Sequence, residues 1–165
     1  MSRTAKLAQI LALVMLGVVL NVSKYILQLL PNIEIVSLLL MAYTYKFGIK
    51  SLISAYVFVG IEIMLYGINI WNVMYLYVWA ILVFICLPLR KIRKAPLFAI
   101  IGGLFGLSFG TLCSIPYFFT IGAEFALSWI VSGFGFDCLH AIGNFLSILL
   151  LYIPITSAMD RIKQI

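Results

Sequence analysis

The chain has 165 residues, of which 65% are hydrophobic, 15% aromatic and only 10% charged. Its mean hydropathy is +1.20, whereas soluble domains carry about 45–50% apolar and about 25% charged residues. Such a chain has too few polar side chains to cover a surface in water. The composition therefore excludes a soluble globular domain and predicts an all-α integral membrane protein.

Breaks at proline, glycine and charged residues divide the chain into six predicted transmembrane helices, which form one domain over residues 1–165. A helix needs about 20 residues to cross a hydrocarbon core about 30 Å thick. We interpret the first as a retained helix, because no small-residue cleavage site closes it. In chain order the predicted helices cover residues 4–29, 32–45, 49–67, 71–87, 96–119 and 135–157, and a short apolar piece at 125–131 precedes the last.

The basic residues predict the orientation of these helices. Ten of the eleven Lys and Arg residues fall on one side of the predicted bundle, and only Lys24 lies on the other. Loops rich in Lys and Arg stay in the cytoplasm, so we expect both termini inside. The net charge of +6 arises from this bias. Because no recognition motif lies among these charges, nucleic acid is not expected as a partner.

Three stripes of polar and aromatic residues run along the outer halves of the predicted helices. Their members are spaced i, i+3 or i+4, and i+7, which places each stripe on one helix face. A carboxyl group at the bilayer centre costs about 2.5–3.5 kcal/mol, so such groups should face protein, water or a ligand. The stripes are Glu62, Tyr66 and Asn69; Asn72, Tyr75 and Trp79; and Asp137, His140 and Asn144.

The common depth of the three stripes favours one outward-opening ligand pocket, with Glu34 at its outer rim. The alternative is that each polar side chain bonds a neighbouring helix and holds the bundle together. Both interpretations stay open for any single residue. Trp71 and Trp129 lie at helix ends and are expected in the aromatic belt at the membrane surface.

Small residues form two further stripes, which let helices approach backbone to backbone. Gly102, Gly106 and Gly110 make a GxxxGxxxG pattern in the fifth predicted helix. The simplest interpretation of this pattern is internal packing. Ala5, Ala8 and Ala12 lie on the cytoplasmic half of the first helix. That stripe is equally suited to receiving a partner protein.

Together these features resemble the substrate-capture (S) components of energy-coupling factor (ECF) transporters. The resemblance covers nearly the whole chain but does not point to a subfamily of known ligand. The segments that carry it are AxxxA in the first helix, PNIEIVSLLLMAYTYKFG (31–48) in the second and WxxxGxxFDxxHxxGN (129–144) in the last.

The resemblance implies a subunit of the cell membrane that binds a vitamin or related micronutrient at an outward-facing site, beneath the loop after the first helix. Lys24, Gln28 and Asn32 belong to that segment and are predicted to form a lid. The resemblance also implies docking through the alanine stripe on a transmembrane coupling subunit, with toppling in the bilayer to release the substrate inside. Two cytoplasmic ATPases would supply the energy.

The sequence itself limits the chemistry of such a protein. It contains no GxxxxGK[ST] loop, so ATP hydrolysis is expected in partner subunits and the chain is not expected to be an enzyme. It contains no HExxH or CxxC motif, so no metal or other cofactor is expected. On the outer half the acids outnumber the single base, Lys24, which favours a planar, donor-rich or cationic heterocycle as ligand; the acids are Glu34, Glu62, Glu124 and Asp137.

Two other classes of protein remain open. Residues 106–110 read GxSxG, and Ser108 with His140 resembles the pair of an intramembrane serine protease. Against this, a GxSxG motif works as a strand-to-helix elbow, whereas here it lies in a helical glycine stripe. A proton-coupled carrier would use Glu62, Asp137 and His140 as a relay. The cytoplasmic half, however, offers almost no polar residues to continue that path.

Overall fold

The computed structural model describes residues 2–30 and 33–161, so the predicted lid residue Asn32 lies outside the described residues. In the described ranges every regular element is helical, which confirms the all-α prediction. The elements are α1 (Arg3–Ile26), α2 (Val36–Phe47), a 3₁₀ turn (Gly48–Lys50), α3 (Ser51–Tyr66), α4 (Ile70–Cys86), α5 (Ala95–Thr120) and α6 (Ala123–Arg161).

The helices are long and apolar enough for a membrane protein. Within the described residues, four stretches could cross a membrane by length and hydropathy: α1, the continuous stretch that joins α2 to α3, α5 and α6. The fifth apolar helix, α4, is shorter, with 17 residues. At 12 residues, α2 extends only about 18 Å and does not cross a hydrocarbon core by itself.

The last helix differs from the sequence prediction. A separate apolar piece at 125–131 and a helix beginning at 135 were expected, but α6 is one helix of 39 residues, about 58 Å long. Gly133 and Gly135 do not interrupt it, since a glycine inside a helix costs only about 1 kcal/mol relative to alanine. The first turns of α6 therefore continue the face that carries Asp137.

One end of the bundle collects basic side chains from several helices. Asp160 near the end of α6 accepts a hydrogen bond from Tyr45 at 2.9 Å. The same carboxylate lies 3.3 Å from Arg93 and 3.7 Å from Lys46. The end of α2, the start of α5 and the end of α6 therefore meet at this point, which we call the basic end.

Helices α1 and α3 run parallel, away from the basic end. Lys50, at the start of α3, donates a hydrogen bond to Gln9 near the start of α1. About 22 Å further along α1, Lys24 forms an ion pair with Glu62 near the end of α3. The acidic and basic members of this second pair thus lie at the opposite end of the bundle.

A glycine allows the close contact between α1 and α3. A Cβ added to Gly17 would lie 2.6 Å from Cβ of Val57, which leaves no room for a side chain. Beside it, the Ser54 hydroxyl donates a 2.7 Å hydrogen bond to the backbone carbonyl of Leu13. The buried face of α1 is therefore the one that carries Gly17.

The alanine stripe lies on another face of α1. At about 100° per residue, Ala8 lies about 180° and Ala12 about 140° around the helix from Gly17. Ala5, Ala8 and Ala12 are each partly exposed. The stripe therefore does not form the contact with α3.

The glycine stripe of α5 packs directly against α6, which confirms its interpretation as internal packing. A Cβ added to Gly106 would lie 2.8 Å from the carbonyl carbon of His140 and 2.9 Å from its oxygen. A Cβ on Gly102 would overlap the Ile148 side chain, and one on Gly110 would overlap the Asp137 carboxylate. A side chain at Gly106 would therefore force the two helices apart, whereas one at Gly102 or Gly110 would displace the side chain of Ile148 or Asp137.

The Gly106→Ala substitution should destabilise the bundle. Overpacking costs about 1–3 kcal/mol and better helix propensity returns at most about 1 kcal/mol, so we expect the free energy of unfolding to fall by about 1–2 kcal/mol. The matched control is Gly60→Ala in α3, where an added Cβ meets nothing within 4 Å. Melting temperatures in detergent should fall for Gly106→Ala alone. Equal melting temperatures for the two variants would contradict this packing role.

Candidate ligand-binding cavity

A cavity of about 790 Å³ opens between the ends of α3, α4, α5 and α6 that lie away from the basic end. Six of the ten predicted ligand-binding residues line it, together with the predicted lid residue Lys24. The six come from all three predicted stripes, so the structure brings members of each stripe to one cavity. They are Glu62, Tyr66, Asn69, Asn72, Tyr75 and Asp137.

A smaller cavity of about 320 Å³ adjoins the first beneath the segment that follows α1. The two share Lys24, Tyr75 and Phe109 as lining residues. Three more predicted residues line only the smaller cavity: Glu34, Trp79 and His140. The predicted lid residue Gln28 lies over it as well.

Asn144, which the sequence predicted as a ligand-binding residue, lines neither cavity. It is fully buried. Its side-chain amide donates to the hydroxyl of Ser37 at 3.3 Å and to the backbone carbonyl of Gly102 at 3.4 Å. These bonds join α6 to α2 and α5. They are the bonds that the helix-bonding alternative expects, although Oδ1 of the same side chain has no hydrogen-bond partner among the described residues.

Asp137 faces the larger cavity from α6, with its carboxylate held by α5. Its Oδ1 accepts a hydrogen bond from the backbone N–H of Gly110 at 3.0 Å. The residue is only 5% exposed. Because Gly110 has no side chain, the carboxylate can reach that N–H directly. The arrangement presents a buried, oriented anion to whatever enters the cavity.

Lys24 and Glu62 form an ion pair on the opposite wall. The ammonium group also lies over three aromatic rings, with centroid distances of 5.9 Å to Phe58, 5.5 Å to Tyr66 and 5.4 Å to Tyr75. Cation–π attraction is significant within about 6 Å of a ring centroid. The lysine is therefore held by charge and by ring faces together.

Glu34 and His140 form a second pair, 3.1 Å apart, in the smaller cavity. Glu34 also accepts a hydrogen bond from the backbone N–H of Ser37 in the first turn of α2, at 2.8 Å. The pair ties the loop before α2 to α6.

Asn69 and Asn72 combine two roles. Asn69 caps α4 by accepting a hydrogen bond from the backbone N–H of Trp71 at 3.0 Å. Asn72 accepts one from the backbone N–H of Asn69 at 2.8 Å, which completes a capping box. Both residues also line the larger cavity. Their position on the wall is thus fixed by the start of α4.

The sequence analysis missed several residues of the cavity wall. Trp71 and Trp129 were expected in a membrane-surface belt, but their rings pack 5.7 Å apart and line the cavity. Gly133 and Phe136 line it as well. Trp129, Gly133 and Phe136 share a helix face with Asp137. Helical spacing from Asp137 would therefore have placed them on the same side of α6 as the cavity. This placement was missed because the last helix was predicted to begin at 135.

Ser108 lies outside both sets of lining residues. Its hydroxyl donates to the backbone carbonyl of Leu104 in the same helix at 2.8 Å, and the side chain is exposed. His140 is paired with Glu34 instead. The geometry thus gives no support to a Ser108–His140 catalytic pair. In residues 2–30 and 33–161, no cluster of three or more His, Cys, Asp and Glu could hold a metal.

Comparison of the chain with protein-family models, with curated proteins and with solved structures finds no match. The argument for function therefore rests on the chemistry of the cavity and on the resemblance seen in the sequence.

Proposed function

We propose that this chain is the membrane-embedded substrate-capture subunit of an ECF-type importer. It would bind a vitamin or related heterocyclic micronutrient from outside and pass it inward with partner subunits. The observation that carries the proposal is the one-sided arrangement of the bundle. A polar, aromatic cavity lies at one end, and the ion pairs of Arg93 and Lys46 lie at the other.

The proposed topology has six membrane crossings, with both termini in the cytoplasm and the cavity open to the outside of the cell membrane. The gathering of basic segments at one end supports this orientation. Helix α2 is short, and residues 33–35 would complete its crossing. Irregular backbone is tolerated at membrane depth where it is buried in protein, and Glu34 is held there by His140 and Ser37.

The cavity favours a planar ligand that is cationic or rich in hydrogen-bond donors. Its volume, about 790 Å³, suits a small molecule of vitamin size. Trp71, Trp129 and Tyr75 offer ring faces for stacking. Asp137 and Glu62 supply negative charge. A dianionic phosphate ester would meet these carboxylates without enough compensating charge.

The partners in this proposal are a transmembrane coupling subunit and two cytoplasmic ATPases. Ala8 and Ala12 lie on the face of α1 turned away from α3, near the basic end. A small-residue stripe lets another helix approach closely. We therefore assign the docking contact to Ala5, Ala8 and Ala12. The subunit itself would carry out no chemistry.

A proton-coupled carrier is the remaining alternative. It would use Glu62, Asp137 and His140. Each of these already bonds a protein group near the outer end, namely Lys24, the Gly110 amide and Glu34. The capture role needs only binding at that end, so it fits the one-sided cavity better.

The ligand-binding part of the proposal predicts a specific effect of Asp137→Asn. Removing a buried carboxylate that pairs with a ligand N–H or cation costs about 2–5 kcal/mol, or roughly 30-fold or more in affinity. Mass spectrometry of the small molecule that copurifies with the chain, followed by titration, measures this loss. Ser108→Ala is the matched control and should bind as the wild type does. If Asp137→Asn also binds as the wild type does, Asp137 only bonds helices.

The docking part predicts that Ala8→Trp and Ala12→Trp abolish copurification with the coupling subunit, because an indole would keep its helix from approaching. Ligand binding by the isolated chain should stay intact. The control is Leu7→Trp, since Leu7 is 56% exposed and lies on a different flank of α1. Persistence of the complex in both alanine variants would exclude the stripe as the docking contact.

A further inference from the structure

Four side chains at the border of the two cavities surround the ammonium group of Lys24. Glu62 supplies a carboxylate, and Phe58, Tyr66 and Tyr75 supply ring faces within 6 Å of the nitrogen. These four residues belong to α3 and α4, and Lys24 lies in the last turn of α1. We call these four residues the ammonium cage.

The chemistry of the cage is that of a site for a nitrogen cation. Ring faces attract cations through their quadrupoles, and aromatic cages are used to recognise quaternary ammonium ligands. The Glu62 side chain is only 8% exposed, so its charge needs a cationic partner. Any cation of similar size that reaches the cage satisfies the same groups as Lys24 does.

Lys24 itself is not locked in the cage. Its side chain is 34% exposed, whereas that of its partner Glu62 is 8% exposed, so the lysine is the less enclosed member of the pair. It also lies in the last turn of α1, where a cation is favoured by the helix dipole.

The cage opens onto the space proposed for the ligand. Glu62, Tyr66 and Tyr75 line the larger cavity, and Phe58 and Tyr75 line the smaller one. Lys24 lines both. A molecule in the larger cavity is therefore adjacent to the lysine nitrogen and to the groups that hold it.

We infer that Lys24 acts as an internal competitor in the ammonium cage, and that an ammonium or alkylated nitrogen of the ligand replaces it there. This inference rests on the proposed capture function and deepens it, by assigning the ligand a cationic nitrogen and a place for it. Replacement frees the end of α1, where the segment over the cavities begins.

The test uses tetramethylammonium chloride as probe and sodium chloride at the same ionic strength as control. The full-length chain in detergent is titrated while its Tyr and Trp fluorescence is followed. Removal of the competitor in Lys24→Ala should tighten tetramethylammonium binding about tenfold or more. Adding Glu62→Gln to that variant should remove this gain in affinity for tetramethylammonium. Lys50→Ala, which removes a lysine paired with Gln9 at the basic end, should bind as the wild type does.

A second measurement needs no variant. In the wild-type chain, tetramethylammonium should raise the rate at which an anhydride acylates Lys24, measured by mass spectrometry, while sodium chloride should not. Acylation of Lys50 is the internal reference. If neither binding in Lys24→Ala nor labelling of Lys24 responds to the probe, the pair with Glu62 is purely structural and the cage assignment is wrong. That result would not contradict the capture role. The capture role would be contradicted by a different observation, uptake of the small molecule without partner subunits.

Discussion

The contact between α5 and α6 fixes the geometry on which the site depends. Because Gly102, Gly106 and Gly110 have no side chains, the backbone of α5 lies directly against α6. That closeness lets the Gly110 N–H reach the Asp137 carboxylate and the Gly102 carbonyl reach Asn144. In lipid there is no hydrophobic drive between helices, so such close packing and the hydrogen bonds it permits hold the bundle together. The same contact therefore supplies stability and orients a cavity-facing anion.

The low-dielectric surroundings explain how the polar side chains are divided between structure and binding. A buried polar group without a partner is costly, so most of those in this bundle are paired. The Asn144 amide nitrogen donates to protein groups and the residue lies away from both cavities, while its Oδ1 has no hydrogen-bond partner among the described residues. Asp137 and Glu62 are paired too, but each also faces open space. Polar groups that combine a fixed orientation with access to a cavity are the ones suited to recognise a ligand.

Much of the fold could be predicted because each apolar run ends at a proline, a glycine or a basic cluster. The starts and ends of α3, α4 and α5 fall within two residues of those predicted. The start of α6 could not be found in this way. Gly133 and Gly135 suggest the end of a helix in the sequence, but α6 continues through both of them. Helical spacing correctly grouped Glu62 and Tyr66 on α3, which line one cavity with Asp137, but Asn69 reaches that cavity as the N-cap of α4 and not as part of α3.

Spacing within one helix could not separate residues whose roles depend on neighbouring helices. Asp137 and Asn144 share a stripe, yet one meets the cavity and the other meets Ser37 of α2. The contact between the tilted rings of Trp71 and Trp129 joins α4 to α6, and nothing local to either segment indicates it. The pairing of His140 with Glu34 likewise links residues 106 positions apart.

The most direct test of the capture role is uptake of the copurifying small molecule into proteoliposomes. One preparation contains this chain alone, and the other contains it with a coupling subunit and two ATPases supplied with ATP. The capture role predicts accumulation only in the complete preparation, with binding but no accumulation for the chain alone. ATP-independent accumulation by the chain alone would contradict it and would favour a carrier.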